Sequence, residues 1–283
     1  MSRAVMEKVL WPEVSRSFGE RGDSHVGGAV VGAADAASLG GPAGRVAAHG
    51  LADLWPQGPE PWSVDVLRYA AAPLMRHRTP AADTPSRPWP TYPHGFLPAT
   101  GAIVPVWDLA TTRVPVGAEV WRVHAGGAEQ HLLTYDGPAY GWRGAMAWAP
   151  TLGLVGPRAQ WQGREWIAAH AADPSWVQLV AYGDPPDATF DSPRPGVVTR
   201  TVPLAECARV FALDLRGRWA GFDVRLLHTS GGPGGSARVE LVDPDPEQAA
   251  TVGATAVEPG RFEITVRADQ VEAGESHVLE SDA

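Results

Sequence analysis

A pattern that recurs after about 60 residues constrains the fold of this chain more than any other feature of its sequence. The motif WQG at 161–163 recurs as WAG at 219–221, 58 residues later. The stretch that begins with PG at 195–196 recurs from 259–260, 64 residues later. The offset grows across the glycine-rich residues 231–235, and insertions that concentrate in turns are typical of true repeats.

Each copy of the pattern contains short stretches that alternate between apolar and polar residues. Phe262, Ile264 and Val266 share one face of such a stretch and polar residues share the other, which predicts a half-buried antiparallel strand. Roughly four or five such strands in each copy predict two small SH3-like barrels, repeat A at 158–214 and repeat B at 215–275. The tryptophans of these strands, Trp176 among them, are expected to pack in the core.

A hairpin is predicted ahead of the repeats. Residues 117–124 and 129–135 alternate, and the glycines of 125–127 join them, which predicts two antiparallel strands and a tight turn. This hairpin and the apolar run before it define a module at 100–157.

The first hundred residues differ from the rest in the spacing of their apolar residues and in their proline content. Residues 47–55 and 63–75 place apolar side chains at three- and four-residue spacing, which predicts short helices. Residues 73–98 hold many prolines and predict a connector. The expected fold is therefore α+β and mainly antiparallel β, with tandem small SH3-like barrels preceded by a partly helical segment at 1–99. An acidic tail is expected at 276–283.

Charge and composition limit the function classes. The formal net charge is −9 in 283 residues, whereas a nucleic-acid binder usually carries a positive surface. One cysteine excludes an internal disulfide framework, and no apolar run is long enough for a membrane-spanning helix. With no signal peptide recognised, the expected location is the cytoplasm. Residues 238–283 carry 11 Asp/Glu and 3 Arg, so this acidic region would attract a basic partner.

The sequence VWRVHAGGAEQHLLTYDGPAYGW at 120–142, the WxG motifs and the closing PG strands resemble a group of actinobacterial proteins. They are also similar to the immunity factors that neutralise NAD-glycohydrolase toxins of the tuberculosis necrotizing toxin type. The resemblance covers 117–275. It implies an antitoxin, a cytoplasmic inhibitor that blocks a toxin's substrate cleft by binding it and performs no chemistry.

Two partner-binding groups are predicted within this interpretation. Asp243, Asp245 and Glu247 follow a predicted strand of repeat B and would speed encounter with a basic rim. Trp142 and Trp148 lie in irregular surroundings, where exposed aromatic side chains could anchor a protein partner.

Other chemistry has weaker support in the sequence, and no catalytic, cofactor-binding or metal-ligating residue is predicted. His124 and His131 flank the hairpin turn and could face each other, but two histidines without further ligands are weak evidence for a metal. Cys207 corresponds to Val271 in the repeat, which indicates a buried small apolar group. Arg122 resembles the strand arginine of ADP-ribosyltransferases, so an enzyme of NAD or nucleotide chemistry stays open as one alternative. A structural scaffold is the other.

Overall fold

The computed structural model describes residues 4–77, 87–88, 92–151, 154–230 and 234–280. These residues form two antiparallel sheets of ten and eleven strands, with short helices around them. The helices are α1 Pro12–Arg21, α2 Ala33–Ala36, α3 Pro42–Ala48 and α4 Pro246–Thr251. The expectation of a mainly antiparallel β fold is therefore confirmed. None of the helices in the described ranges is long and apolar enough to cross a membrane.

The first sheet is built by strands β1 to β10. Their bounds are β1 Val5–Val9, β2 His25–Gly32, β3 Ser63–Ala70, β4 Arg76–His77, β5 Arg87–Pro88, β6 Gly95–Ala99, β7 Ala102–Arg113, β8 Glu119–His124, β9 Glu129–Tyr135 and β10 Trp142–Arg143. The strand order is β10-β9-β8-β3-β1-β2-β7-β4-β5, and β6 pairs with β7. The predicted hairpin at 117–135 is confirmed as β8 and β9.

The prediction of a helix over 63–75 is wrong, because most of this segment is the interior strand β3. Val64 and Val66 pack into one apolar cluster, whereas Leu67 and Tyr69 pack into another. A strand buried on both faces carries apolar residues at adjacent positions. The spacing of these apolar residues then resembles the three- and four-residue spacing of an amphipathic helix.

The first hundred residues are not a unit separate from the module that follows. The predicted boundary between 99 and 100 falls in the hairpin of β6 and β7, where Ala99 pairs with Ala102. Strands from both sides of this boundary belong to the same sheet. Helix α1 does lie in the segment expected to be partly helical, and its Phe18 packs against Trp142 from the predicted hairpin module.

The second sheet is built by strands β11 to β21. Their bounds are β11 Val155–Trp161, β12 Arg164–His170, β13 Trp176–Tyr182, β14 Asp191–Arg194, β15 Val197–Pro203, β16 Arg209–Trp219, β17 Phe222–Thr229, β18 Ser236–Leu241, β19 Thr255–Glu258, β20 Arg261–Arg267 and β21 Glu272–Glu280. The order is β14-β15-β13-β12-β11-β16-β17-β18-β20-β19, and β21 pairs with β16. The path of paired strands is thus open at β14 and at β19.

A layer of buried charged side chains lies between the two sheets. Arg225 on β17 and Arg261 on β20 flank Glu240 on β18, at 3.5 and 3.7 Å. Arg261 also binds Glu258 at 2.8 Å, and Glu258 binds Lys8 of the first sheet at 3.0 Å. Because Lys8 lies on β1, this ion pair joins the two sheets directly.

Two further polar contacts join the sheets. Arg238 on β18 contacts Asp23, which precedes β2, at 2.8 Å. Thr111 on β7 donates a hydrogen bond to Glu240 at 3.1 Å. Buried charges are costly unless each has a partner, so these contacts fix how one sheet sits on the other.

Candidate functional site

The hairpin of β6 and β7 presents an exposed apolar surface. Phe96 lies opposite Pro105, and Pro98 lies opposite Ile103, so these four side chains share one side of the hairpin. Phe96 is 65% exposed and Ile103 is 74% exposed. We refer to Phe96, Pro98, Ile103 and Pro105 as the exposed hairpin face.

The opposite side of the same hairpin is buried, which fixes the exposed hairpin face in position. Val104 and Val106 pack with Val31 and Leu39, and Leu97 packs against this cluster. The hairpin is therefore apolar on both sides, although only one side has a partner within the described chain. Large apolar side chains that cluster in solvent on a rigid element mark interaction surfaces.

The predicted acidic group lies on the surface, but one of its members has a local structural role. Asp245 caps helix α4, and its carboxylate accepts hydrogen bonds from the backbone N–H groups of Glu247 and Gln248 at 2.9 and 3.1 Å. Asp243 is exposed, with a left-handed backbone φ of 45°. Glu247 is exposed in the first turn of α4. Replacing Asp245 would therefore disturb the helix as well as the surface charge.

The two tryptophans predicted to anchor a partner are engaged inside the protein. Trp142 is buried, stacks on Phe18 with ring centroids 4.9 Å apart, and donates to the backbone carbonyl of Asp23 at 2.7 Å. Trp148 is half-buried beneath the guanidinium of Arg194, which lies 4.2 Å from its ring centroid. Trp142 therefore cannot be the exposed anchor that the sequence suggested, and it stabilises the core of the first sheet.

Trp176, which the sequence pattern places in the core, is instead exposed. Trp176 is the first residue of β13 and is 41% exposed. Trp161, by contrast, is buried and packs with Trp166 and Phe190. The strand alternation therefore located Trp161 correctly and Trp176 wrongly, because Trp176 lies at the end of its strand.

Arg122 lines a groove between α1 and the strands β3 and β8. The groove has a volume of about 510 Å³. The guanidinium of Arg122 donates to both carboxylate oxygens of Asp65, at 2.8 and 3.0 Å, and Ser15 donates to the same carboxylate at 2.6 Å. The hydrogen bonds that Arg122 donates to Asp65 raise the pKa of its guanidinium. A guanidinium paired in this way is neutralised, and it would have to leave Asp65 to bind a phosphate with the same atoms.

The remaining candidates from the sequence are the histidines His124 and His131 and the cysteine Cys207. The histidines do not face each other: a bulge in the hairpin places His131 opposite Trp121, and the two rings lie edge to face. Cys207 is half-buried beside the core of β11 to β15, and this burial raises the pKa of its thiol. Throughout the described ranges, no group of three or more His, Cys, Asp or Glu side chains could hold a metal ion.

Sequence reasoning missed the exposed hairpin face. The sequence pattern predicts only a short apolar run at 102–107 and a connector at 73–98. The signal was present in GFLPATGAIVPV at 95–106, where apolar residues occupy both alternating sets. A strand of that composition has either two buried faces or one exposed apolar face, and the sequence does not distinguish them.

Comparisons with known proteins found no match. No family model matches the chain, and neither a curated protein nor a solved structure matches it.

Proposed function

We propose that this chain is a protein-binding module and that the exposed hairpin face is its docking surface. The observation that carries the proposal is the exposure of Phe96 and Ile103 on a hairpin whose other side is firmly packed. Full burial of a large apolar side chain stabilises a complex by about 1.5–3 kcal/mol. A preformed surface also loses little conformational entropy on binding.

The second sheet serves, in this proposal, as a scaffold of two copies of one small SH3-like barrel. Several facts support the duplication. The strands β12, β13 and β15 pair in sequence, as do β17, β18 and β20. A single 3-10 turn follows β15 and another follows β20. The next strand, β16 or β21, then pairs with the strand that began its copy, β11 or β16.

The turns of the two copies support the same interpretation. Gln162 and Gly163 have φ angles of 49° and 73°, and Ala220 and Gly221 have φ angles of 50° and 88°. Positive φ at both central residues is typical of a type I′ hairpin turn. Because β16 would belong to both copies, the copies could not move apart, and the scaffold would be rigid.

The partner is proposed to be a toxin, with the chain as its cytoplasmic immunity-type inhibitor. This part of the proposal depends on the resemblance described above. The acidic side chains Asp243 and Glu247 would then favour a basic rim around the toxin's cleft. The mechanism requires only that the bound chain keeps substrate out of the cleft.

Affinity capture from the native cell tests the proposal. Wild-type chain, the double variant Phe96→Ser/Ile103→Ser and the control Leu54→Ser are used as baits. Leu54 is 59% exposed and outside the hairpin, so its replacement removes a similar apolar side chain from a different surface. Each captured protein is purified, and its affinity for the three baits and its NAD turnover are measured.

We expect a partner that binds wild type and Leu54→Ser equally and binds the double variant at least about tenfold more weakly. Inhibition of that partner's NAD hydrolysis at one-to-one stoichiometry would support the immunity function. A partner that binds all three baits equally would overturn the hairpin face as the docking surface. A partner that binds through the hairpin face without being inhibited would overturn the toxin assignment.

A further inference from the structure

Arg113, the last residue of β7, carries a buried guanidinium that forms no ion pair with a carboxylate of the described residues. The side chain is 4% exposed, crosses from the first sheet to the second, and donates to the backbone carbonyls of Val155 and Pro157 on β11. Gly156 lies between these carbonyls with a φ of 108°, and an added Cβ would overlap Nε of Arg113. Only glycine accommodates both that backbone angle and so close a side chain, so the backbone of β11 is shaped to hold the guanidinium.

The groups around Arg113 leave its charge uncompensated. Within the described chain, the charged side chain that acts on it is Arg158, a second cation that is itself paired with Glu165 at 3.3 Å. Burial raises the pKa of Tyr135 and of Tyr182, so both neighbouring hydroxyls are uncharged at neutral pH. Burial is also the main cause that lowers the pKa of Arg113 to about 10, which still leaves the guanidinium charged at neutral pH. Because a buried charge is costly without an opposite charge, this position attracts an anion.

One nitrogen of the guanidinium is left to meet such an anion. Nε and Nη2 bind the two carbonyls, whereas Nη1 donates to none of the described residues and keeps accessible surface. Arg113 and Pro157 line a small cavity where β7 meets β12. The rest of the lining is mainly apolar and includes Leu74, Met75 and Ala169. The unused donor therefore belongs to a residue of the cavity wall.

The size and the lining of the cavity select the kind of anion. Its volume is about 10 Å³, which is about the space that one water molecule requires. Carboxylate, phosphate and sulfate groups are too large for this space, whereas chloride is a single atom of nearly the size of a water molecule. A monatomic anion also needs no donors at fixed angles, so one charged N–H in an otherwise apolar wall can hold it.

We infer that this cavity binds one chloride ion, which accepts a hydrogen bond from Nη1 of Arg113 and compensates its buried charge. A ligand that binds only the folded chain stabilises it, and the effect grows with the ligand concentration. Since Arg113 joins β7 to β11, chloride would strengthen the contact between the two sheets. The site is separate from the exposed hairpin face and does not depend on the function proposed above.

Urea unfolding over about a hundredfold range of chloride tests this inference. Sodium gluconate replaces sodium chloride at constant ionic strength, because gluconate is too large for the cavity. Wild type is compared with Arg113→Gln, which removes the charge, and with Ala169→Val, which narrows the cavity and keeps Arg113. Arg143→Gln, whose arginine side chain is 70% exposed and outside the cavity lining, is the matched control.

Above its dissociation constant, chloride is expected to raise the folding equilibrium constant of wild type and Arg143→Gln about tenfold for each tenfold increase in concentration. The constant should not change with chloride in Arg113→Gln and should change less in Ala169→Val. Equal stability of wild type in chloride and in gluconate would overturn the inference. So would the same chloride dependence in wild type and in both cavity variants.

Crystals of the wild-type chain grown in bromide give a second measurement, since bromide replaces chloride and its anomalous scattering locates it. We expect an anomalous peak within hydrogen-bond distance of Nη1 of Arg113. The absence of a peak there would contradict the inference even if Arg113→Gln failed to fold. None of these results bears on the hairpin face, whose residues are unchanged in every variant.

Discussion

The ion pair between Lys8 and Glu258 allows a quantitative test of how the two sheets are joined. Lys8 is the single lysine of the chain, is 4% exposed and lies 3.0 Å from Glu258. Replacing it with methionine keeps the aliphatic length and leaves Glu258 paired with Arg261, at 2.8 Å. Breaking a buried pair from one side costs about 3–5 kcal/mol. Because Arg261 remains, we expect Lys8→Met to lower the free energy of unfolding by about 3 kcal/mol.

Urea unfolding followed by circular dichroism measures this change. The pair Lys8→Met/Glu258→Gln completes a double-mutant cycle, and we expect the double variant to be more stable than the sum of the single losses by at least about 1 kcal/mol. Asp269→Asn is the control, since Asp269 forms an exposed ion pair with Arg267 and its loss should leave the unfolding midpoint unchanged. Strict additivity, or a loss in Lys8→Met no larger than in the control, would refute the joining role of this pair.

Three further predictions concern the core, one turn and the dependence on pH. Trp142→Ala should destabilise the fold by about 3–5 kcal/mol in urea unfolding, whereas Trp62→Ala, at an exposed position, should change it little. Gly137 has φ 105°, and an added Cβ would overlap Oε1 of Gln178, so Gly137→Ala should lower the melting temperature measured by calorimetry. The folded chain holds the pKa of His49 at about 4 by burial and by Lys8 and Arg45, while the unfolded chain takes up a proton near pH 6.5. Stability should therefore fall as the pH drops from 6.5 to 4, by roughly 3 kcal/mol for this group, and His49→Gln should remove that share of the slope. A slope unchanged in His49→Gln would contradict this assignment.

Local patterns in the sequence were informative where a strand has one apolar face and one polar face. The alternation around Phe262 and the glycine turn before Glu129 correctly located β20 and the hairpin of β8 and β9. Such segments have a single apolar period, so their periodicity identifies the element without knowledge of its neighbours.

The same reasoning failed for strands that are apolar on both faces. The spacing of apolar residues in 63–70 predicts a helix, because β3 is covered on two sides and is apolar on both. The exposed face of 95–106 is not recognisable from the sequence, because both sides of that hairpin are apolar. Tertiary neighbours decide which side is buried, and they are not encoded in local spacing.

The buried charged layer could not be predicted from the sequence either. Arg225, Glu240 and Arg261 occupy the positions in their strands where exposed polar residues would also appear. Their side of the sheet is covered by the first sheet, which is distant in the sequence, as the contact between Thr111 and Glu240 shows. The acidity of the last 46 residues is thus partly internal, since Glu240 and Glu258 are buried and paired with arginine or lysine.

The exposed hairpin face, as the docking surface, is the central feature of the proposed function. Hydrogen–deuterium exchange, measured on the chain alone and in complex with its captured partner, tests this directly. If the hairpin face is the docking surface, exchange of the backbone amides in 95–106 slows in the complex, with smaller changes near Asp243 and Glu247. Unchanged exchange in 95–106, with protection confined to another surface, would contradict it.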